Sequence, residues 1–271
     1  MEGWFELPRV IWFGLAERGG RAVGYADLQQ NDEHADIDAR TLEDGVAQPL
    51  VRACIERARP DVPVWGYAPA TDEAAAEAYR NAGFTVIRHA FTMLIELTGE
   101  TAAPEWPDRI EVREWQEGDD PAFHATLQEA FAENFGFTPT PYDEWLRAIE
   151  AQPETDRLIW YLALQDDEVA GVAQCGWHSS GDRTFGWVSD LGVRKPWRRR
   201  GLGLALLRHA FVELGRRGAT RVGLGVDAEN ATGAVRLYER AGMQVTRRYD
   251  TWSLDTAARD TGSLETGALD R

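Results

Sequence analysis

Apolar and polar residues alternate along some stretches of this chain and recur at helical spacing along others. From Arg109 to Trp115 the alternation predicts a strand. Asp120–Glu133 reads as a helix, with Asp119 or Asp120 as its cap and Pro121 in its first turn. A second helix is expected from Pro141 to Ala151. Leu158–Leu164 and Val169–Trp177 read as strands joined by the hairpin Gln165-Asp-Asp-Glu168, and Thr184–Val193 extends that meander. Gly201–Arg217 is an amphipathic helix whose stripe is Leu202, Leu206, Leu207, Ala210, Phe211 and Leu214. Gly218 ends it. A strand at Arg221–Val226, a helix from Ala231 to Arg240 capped by Asn230, and a strand at Val245–Leu254 follow. The order β-α-α-β-β-β-α-β-α-β belongs to the α+β class.

The pattern occurs twice. Tyr79, Ala82-Gly83, Val86, Arg88 and Thr92 recur without gaps as Tyr238, Ala241-Gly242, Val245, Arg247 and Thr251, an offset of 238 − 79 = 159. The same offset pairs Gly66 with Gly225. Self-similarity of this kind marks a duplicated unit. The repeats span 1–97 and 109–254. The first carries strands at Val10–Ala16, Arg21–Leu28 and Ala35–Thr41, a helix at Leu42–Ala58, a strand at Val62–Tyr67, a helix at Asp72–Asn81 and a strand at Val86–Leu97. Its opening strand and first two helices are missing or severely shortened. Residues 98–108, with two prolines, read as a linker, and 255–271 as a frayed polar tail.

Composition narrows the function classes. With 44% apolar and 27% charged residues, the 271-residue chain is no disordered polymer. No run approaches the ~18 apolar residues of a membrane span. The start, MEGWFELPRV, has no secretory pattern. Two isolated cysteines, Cys54 and Cys175, exclude a disulfide framework or a CxxC metal site and suit a reducing cytoplasm. The balance of 29 basic against 45 acidic residues gives −16. That charge opposes nucleic acid as a partner and favours neutral or cationic small molecules. Lys195 is the only lysine, so positive charge is almost all arginine.

One stretch departs from this acidity. Asp190-Leu-Gly-Val-Arg-Lys-Pro-Trp-Arg-Arg-Arg-Gly-Leu-Gly-Leu204 runs a strand into a basic loop and then into a helix opened by two glycines. Helix-front N–H groups lack intrahelical partners and carry partial positive charge, and glycines let a phosphate approach them. The loop is neither a GxxxxGK[ST] P-loop nor a Rossmann GxGxxG. Arg198-x-x-Gly201-x-Gly203 resembles the R/Q-x-x-G-x-G/A pyrophosphate loop of the GNAT N-acetyltransferase superfamily. Asn230-Ala-Thr-Gly-Ala-Val-Arg-Leu-Tyr238-Glu-Arg-Ala-Gly-Met243 resembles that family's N…LYexxGF segment. The resemblance covers 109–254, and the doubling is similar to tandem GNAT proteins. It implies two GNAT-like lobes, each a mixed, mostly antiparallel sheet flanked by helices, the first degenerate.

The same resemblance implies acetyl-CoA as cosubstrate, no metal, and direct transfer of an acetyl group to the amine of a small molecule. Leu191, Gly192 and Val193 would pair with pantetheine. The segment Arg198, Arg199, Arg200, Gly201, Leu202, Gly203 and Leu204 would hold the pyrophosphate, and Asn230 would touch the cofactor or cap its helix. Tyr238 matches the tyrosine often assigned to protonating the thiolate. Several relatives place a glutamate eleven residues before the loop's first Arg or Gln, where this chain has Trp187. Asp190 lies on the same strand and would face the cleft if a bulge swapped faces. Asp227 and His178 are further candidates for the base. Glu133, Asn134 and the aromatic run Phe131–Phe137, with Tyr142 and Trp145, would shape the acceptor pocket or simply pack two helices together. In the first repeat Ala39, Leu42 and Asp44 stand where Arg198, Gly201 and Gly203 stand in the second. Glu43 and Asp44 would repel a diphosphate, so only the second repeat is expected to bind cofactor. The expected assembly is a monomer or homodimer with no nucleic-acid or membrane partner. An acyl-CoA sensor without turnover, or a peptide N-acetyltransferase, are the competing readings.

Overall fold

The computed structural model describes residues 10–98, 101–151, 157–230 and 232–255. Along the chain they form β1 (Val10–Arg18), β2 (Arg21–Gln30), β3 (Ala35–Thr41), α1 (Ala47–Ile55), β4 (Val64–Pro69), α2 (Glu73–Asn81), β5 (Thr85–Glu96), β6 (Glu111–Glu114), α3 (Asp120–Phe131), α4 (Tyr142–Glu150), β7 (Trp160–Gln165), β8 (Glu168–Trp177), β9 (Phe185–Val193), α5 (Leu202–Arg216), β10 (Arg221–Asp227), α6 (Ala234–Arg240) and β11 (Gln244–Leu254). This is the order and near-register expected from hydrophobic periodicity. Ala231, the expected start of the last helix, and the tail from 256 lie outside the described residues.

Two units divide these elements: one holds residues up to 89 together with those from 248, the other residues 90–247. In the first unit β1, β2 and β3 are antiparallel neighbours, and β3 runs parallel to β4 through Ala35–Ile37 and Val64–Gly66. The outer neighbour of β4 is the end of β11, which pairs through Tyr249–Leu254. In the second unit residues 90–96 of β5 pair with β10. Each repeat's final strand therefore completes the sheet of the other repeat.

Local chemistry explains the first unit's helices. α1 starts five residues later than periodicity suggested, because Gly45 turns the chain at φ 77° and Pro49 fits only a first helical turn. α2 is capped by Asp72, whose carboxylate accepts the Ala75 N–H at 3.0 Å. Their apolar faces bury Leu50, Val51, Cys54, Ala78 and Tyr79 against Leu28, Ile37 and Val64 of the sheet. Tyr79 lies over Gly66 so closely that a Cβ there would overlap the phenol ring. Gly66→Ala is expected to cost about 1–3 kcal/mol by overpacking. The homologous Gly225→Ala, with nothing within 4 Å, should shift stability by less than about 0.5 kcal/mol. Urea midpoints of the two variants check this contrast.

In the second unit the sheet continues from β10 through β9, β8 and β7 to β6. All six residues of the expected α5 stripe are buried. Glycines bring helices close on both faces: a Cβ at Gly171 would stand 3.1 Å from Leu206 of α5, and one at Gly192 3.1 Å from Ala130 of α3. α3 thus covers the face opposite α5, and among the described residues no first-repeat helix has its place. The linker region from 101 to 110 has no regular element, and its Trp106 packs edge-on against His209.

Candidate active site

β9 and β10 pair in parallel only through Phe185–Trp187 and Arg221–Gly223. Beyond that point each remains bonded on its outer side, β9 to β8 and β10 to β5, while their inner edges part. A bulge marks the parting: Cys175 pairs with Val188 and Gln174 with Asp190, so Ser189 is the extra residue. Trp187 fills the apex over Gly223, 2.7 Å from where a Cβ would stand. The wedge opens into a cavity of about 1160 Å³ lined by β9, β10, the basic loop, the front of α5, α6 and the end of α3.

At one end the cavity meets the front of α5. Gly201 takes φ 88°, a left-handed turn that only glycine adopts without strain, and its carbonyl accepts the Ala205 N–H at 3.0 Å. The amides of Leu202, Gly203 and Leu204 precede that bond and have no intrahelical acceptor. All four residues line the cavity, as does Arg199. Arg199 also adopts a left-handed φ of 62°, which tightens the turn into the helix.

Arg198 has a different task from its neighbours. Its guanidinium donates to the carbonyls of Val193 and Ala130, both at 2.9 Å, and pairs with Glu133 at 3.1 Å. It ties the end of β9 to the end of α3 beneath the loop, so its charge is already engaged. Lys195 also pairs with Glu133, at 3.0 Å, and the two cations hold that carboxyl below the ordinary range. Arg200 is exposed and Gly192 faces α3; neither lines the cavity. Leu191 and Val193 do line it.

At the other end stand Asp190 and Tyr238. The bulge returns Asp190 to the face of Trp187, the swap that the sequence required for it to reach the cleft. Asp190 is half-buried, and burial raises its carboxyl to about 6 with no cation opposing. Tyr238 is raised to about 12 by burial and then by the nearby Asp190 charge, so it keeps its proton at any working pH. Gly225 leaves open the space that Tyr79 fills in the first unit. There Tyr79 is only 1% exposed, against 9% for Tyr238, and Arg40 of β3 reaches the Tyr67 carbonyl of β4 at 3.4 Å while pairing with Asp38. One repeat has filled its wedge and the other has kept it open.

The remaining candidates separate. Asp227 lines the cavity. His178 does not: it stacks on Phe185 at 4.3 Å and meets Trp187 edge-on, and burial lowers its pKa. Asn230 does not cap α6, which begins at Ala234 after Gly233. Its carboxamide oxygen accepts the Thr232 N–H at 2.9 Å, and its nitrogen donates to Asn134 at 3.4 Å. The aromatic run divides too. Phe131, Phe135 and Phe137 line the cavity, whereas Trp145 packs with Phe123, His124 and Trp160, and Tyr142 with His124. Sequence reasoning missed Val188, Thr232, Leu237 and Arg240 as lining residues; helical spacing places Leu237 beside Tyr238, but nothing local singles out the others.

Comparison with known proteins agrees with this geometry. The model of the Acetyltransferase (GNAT) family matches residues 110–243. A mycothiol acetyltransferase of Geodermatophilus obscurus is 30% identical over 238 residues, covering 82% of this chain and 75% of that protein. The one from Thermobispora bispora is 28% identical over 263 residues, 93% and 84% of the two chains. A solved GCN5-related N-acetyltransferase from Sphaerobacter thermophilus is 30% identical, with a TM-score of 0.71 over 88% of this chain and 78% of its own. A tandem GNAT protein from the clavulanic acid biosynthesis pathway, 18% identical, shares the fold with a TM-score of 0.68 over 92% and 84%. With an opened strand pair, a glycine-opened helix front and relatives of this similarity along most of its length, the chain belongs to the GNAT acetyltransferase family.

Proposed function

We propose that the second repeat, residues 109–254, binds acetyl-CoA in the wedge between β9 and β10 and transfers its acetyl group to the amine of a small molecule. The observation that carries this reading is the cavity's polarity. Helix-front amides with no partner among the described residues stand at one end, and a carboxyl raised to about 6 stands beside a protonated phenol at the other. The cosubstrate supplies an activated acyl group as a thioester. The free inner edge of β9 suits its pantetheine arm, and the amides of Gly201–Leu204 suit its pyrophosphate. Asp190 takes the proton that an amine of pKa near ~10 carries at neutral pH. Tyr238 holds a proton for the departing sulfur. The reading needs no metal, and the reducing cytoplasm suits two buried free thiols.

The first repeat, 1–97, binds no cofactor in this reading. Arg40 and Tyr79 occupy its wedge, and Glu43 pairs with Arg18 at 2.6 Å where a phosphate loop would lie. The repeat 109–254 is the catalytic one. An amine related to mycothiol is the first acceptor to test, given the names of two relatives, although Trp187 replaces the expected glutamate. Calorimetric titration should return one equivalent of acetyl-CoA, and thiol release should appear with at least one amine of a panel. Two equivalents would assign a second site to the first repeat. Tight binding without release to any amine would favour an acyl-CoA sensor.

A further inference from the structure

The basic groups around the cavity fall into two sets. Arg194, Lys195 and Arg198 are each spent on carboxylates: Arg194 on Glu129 and Glu168, and the other two on Glu133. Arg199, Arg200, Arg236 and Arg240 form no ion pair or side-chain hydrogen bond among the described residues. All four are exposed. Arg199 and Arg240 line the cavity, from the loop before α5 and the last turn of α6. Arg236 stands one turn before Arg240, on the same face of α6, so two like charges are held together at a spacing that disfavours the bare helix. In a chain of net charge −16, two guanidiniums without a carboxylate partner among the described residues thus line one cavity from two separate elements.

The helix-front amides already answer the pyrophosphate. Coenzyme A carries one further anion, a phosphomonoester on its ribose, which bears about −1.5 to −2 at neutral pH. Guanidinium forks match phosphate oxygens in pairs and keep their charge at any working pH. Resting on the cofactor reading above, we propose that Arg240, together with Arg199, recognises the ribose 3′-phosphate of coenzyme A. The protein then selects acyl carriers that bear this group over those that end at the pyrophosphate or at pantetheine.

Calorimetric titration of the full chain with coenzyme A and with 3′-dephospho-coenzyme A tests this without any acceptor. Coenzyme A should bind at least tenfold tighter, and the gap should narrow as salt rises. Arg240→Ala should weaken coenzyme A at least fivefold and leave the dephospho form within twofold; Arg240→Lys should restore part of the difference. Equal affinities in the parent protein, or a variant that weakens both ligands alike, would overturn the assignment while leaving the cofactor site in place. Binding of neither nucleotide at millimolar concentration would overturn the cofactor reading and this one with it.

Discussion

Asp190→Asn lowers kcat/KM by roughly 10²–10⁴-fold, the usual reach of a general base, while leaving the affinity for acetyl-CoA nearly unchanged. The argument starts from the bulge. Without Ser189 as an extra residue, Asp190 would point away from the face of Trp187. With it, the carboxyl enters a wall that offers no cation, and burial lifts it to about 6. A base must be unprotonated to act, so the parent enzyme's kcat/KM should rise with pH through about 6, and the variant should lose that limb. The same shift has a sign for stability. A carboxyl raised in the folded state favours folding below its ordinary range near 4 and loses that contribution as pH rises through about 6. Asp190→Asn should therefore be more stable than the parent at pH 8, on the order of 1 kcal/mol, and indistinguishable from it at pH 3.5. An unchanged pH profile, with activity intact, would transfer the role to Asp227, the other carboxylate at the cavity wall that sequence reasoning had considered as a base.

Gly203→Asp abolishes measurable acetyl-CoA binding while the protein stays folded. Residue 203 is in the first turn of α5, where an acidic side chain favours the helix through its dipole by about 0.3–1 kcal/mol. The new Cβ would stand 3.0 Å from the terminal Leu237 Cδ1, the mobile end of a side chain, and in ordinary contact with Val193 Cγ2 at 3.7 Å. Folding should tolerate the change. The diphosphate would face a carboxylate a few ångströms away in a partly enclosed cavity, where like charges at ~4 Å repel by about 4 kcal/mol. That is close to a thousandfold in Kd. Gly203→Ala, with the same Cβ and no charge, should lose far less. Circular dichroism and titration of the pair separate charge from bulk; equal losses would mean that residue 203 acts by shape rather than by its place at a phosphate.

Much of this protein was legible before folding. The periodicities placed every strand and helix of the second repeat within a few residues, because α5 buries one apolar stripe and β7 and β8, buried on both faces, are short continuous apolar runs. The helix front after Gly201 was legible because a glycine-opened helix start is a local property of the chain. What the sequence did not show is the place of the Arg198 guanidinium: its acceptors, Ala130 and Val193, come from distant elements, and no local pattern announces them. Asn230 was read as a helix cap, but the next helix begins four residues later, and its amide serves a turn and Asn134 instead.

Tyr79 and Tyr238 draw the boundary most clearly. Their sequence neighbourhoods share Tyr, Ala-Gly, Val, Arg and Thr at matching positions, so the chain alone fixed a tyrosine on the inner face of each repeat's last helix. Tertiary structure gave them different fates. In one repeat Arg40 bridges the parted strands and the phenol settles on Gly66; in the other a bulge at Ser189 and an open space above Gly225 leave the phenol beside a carboxyl. Local spacing determines which residues share a face, because that depends on helical and strand repeats. Whether a face closes or stays open depends on side chains from distant segments competing for one volume, which only the folded chain decides.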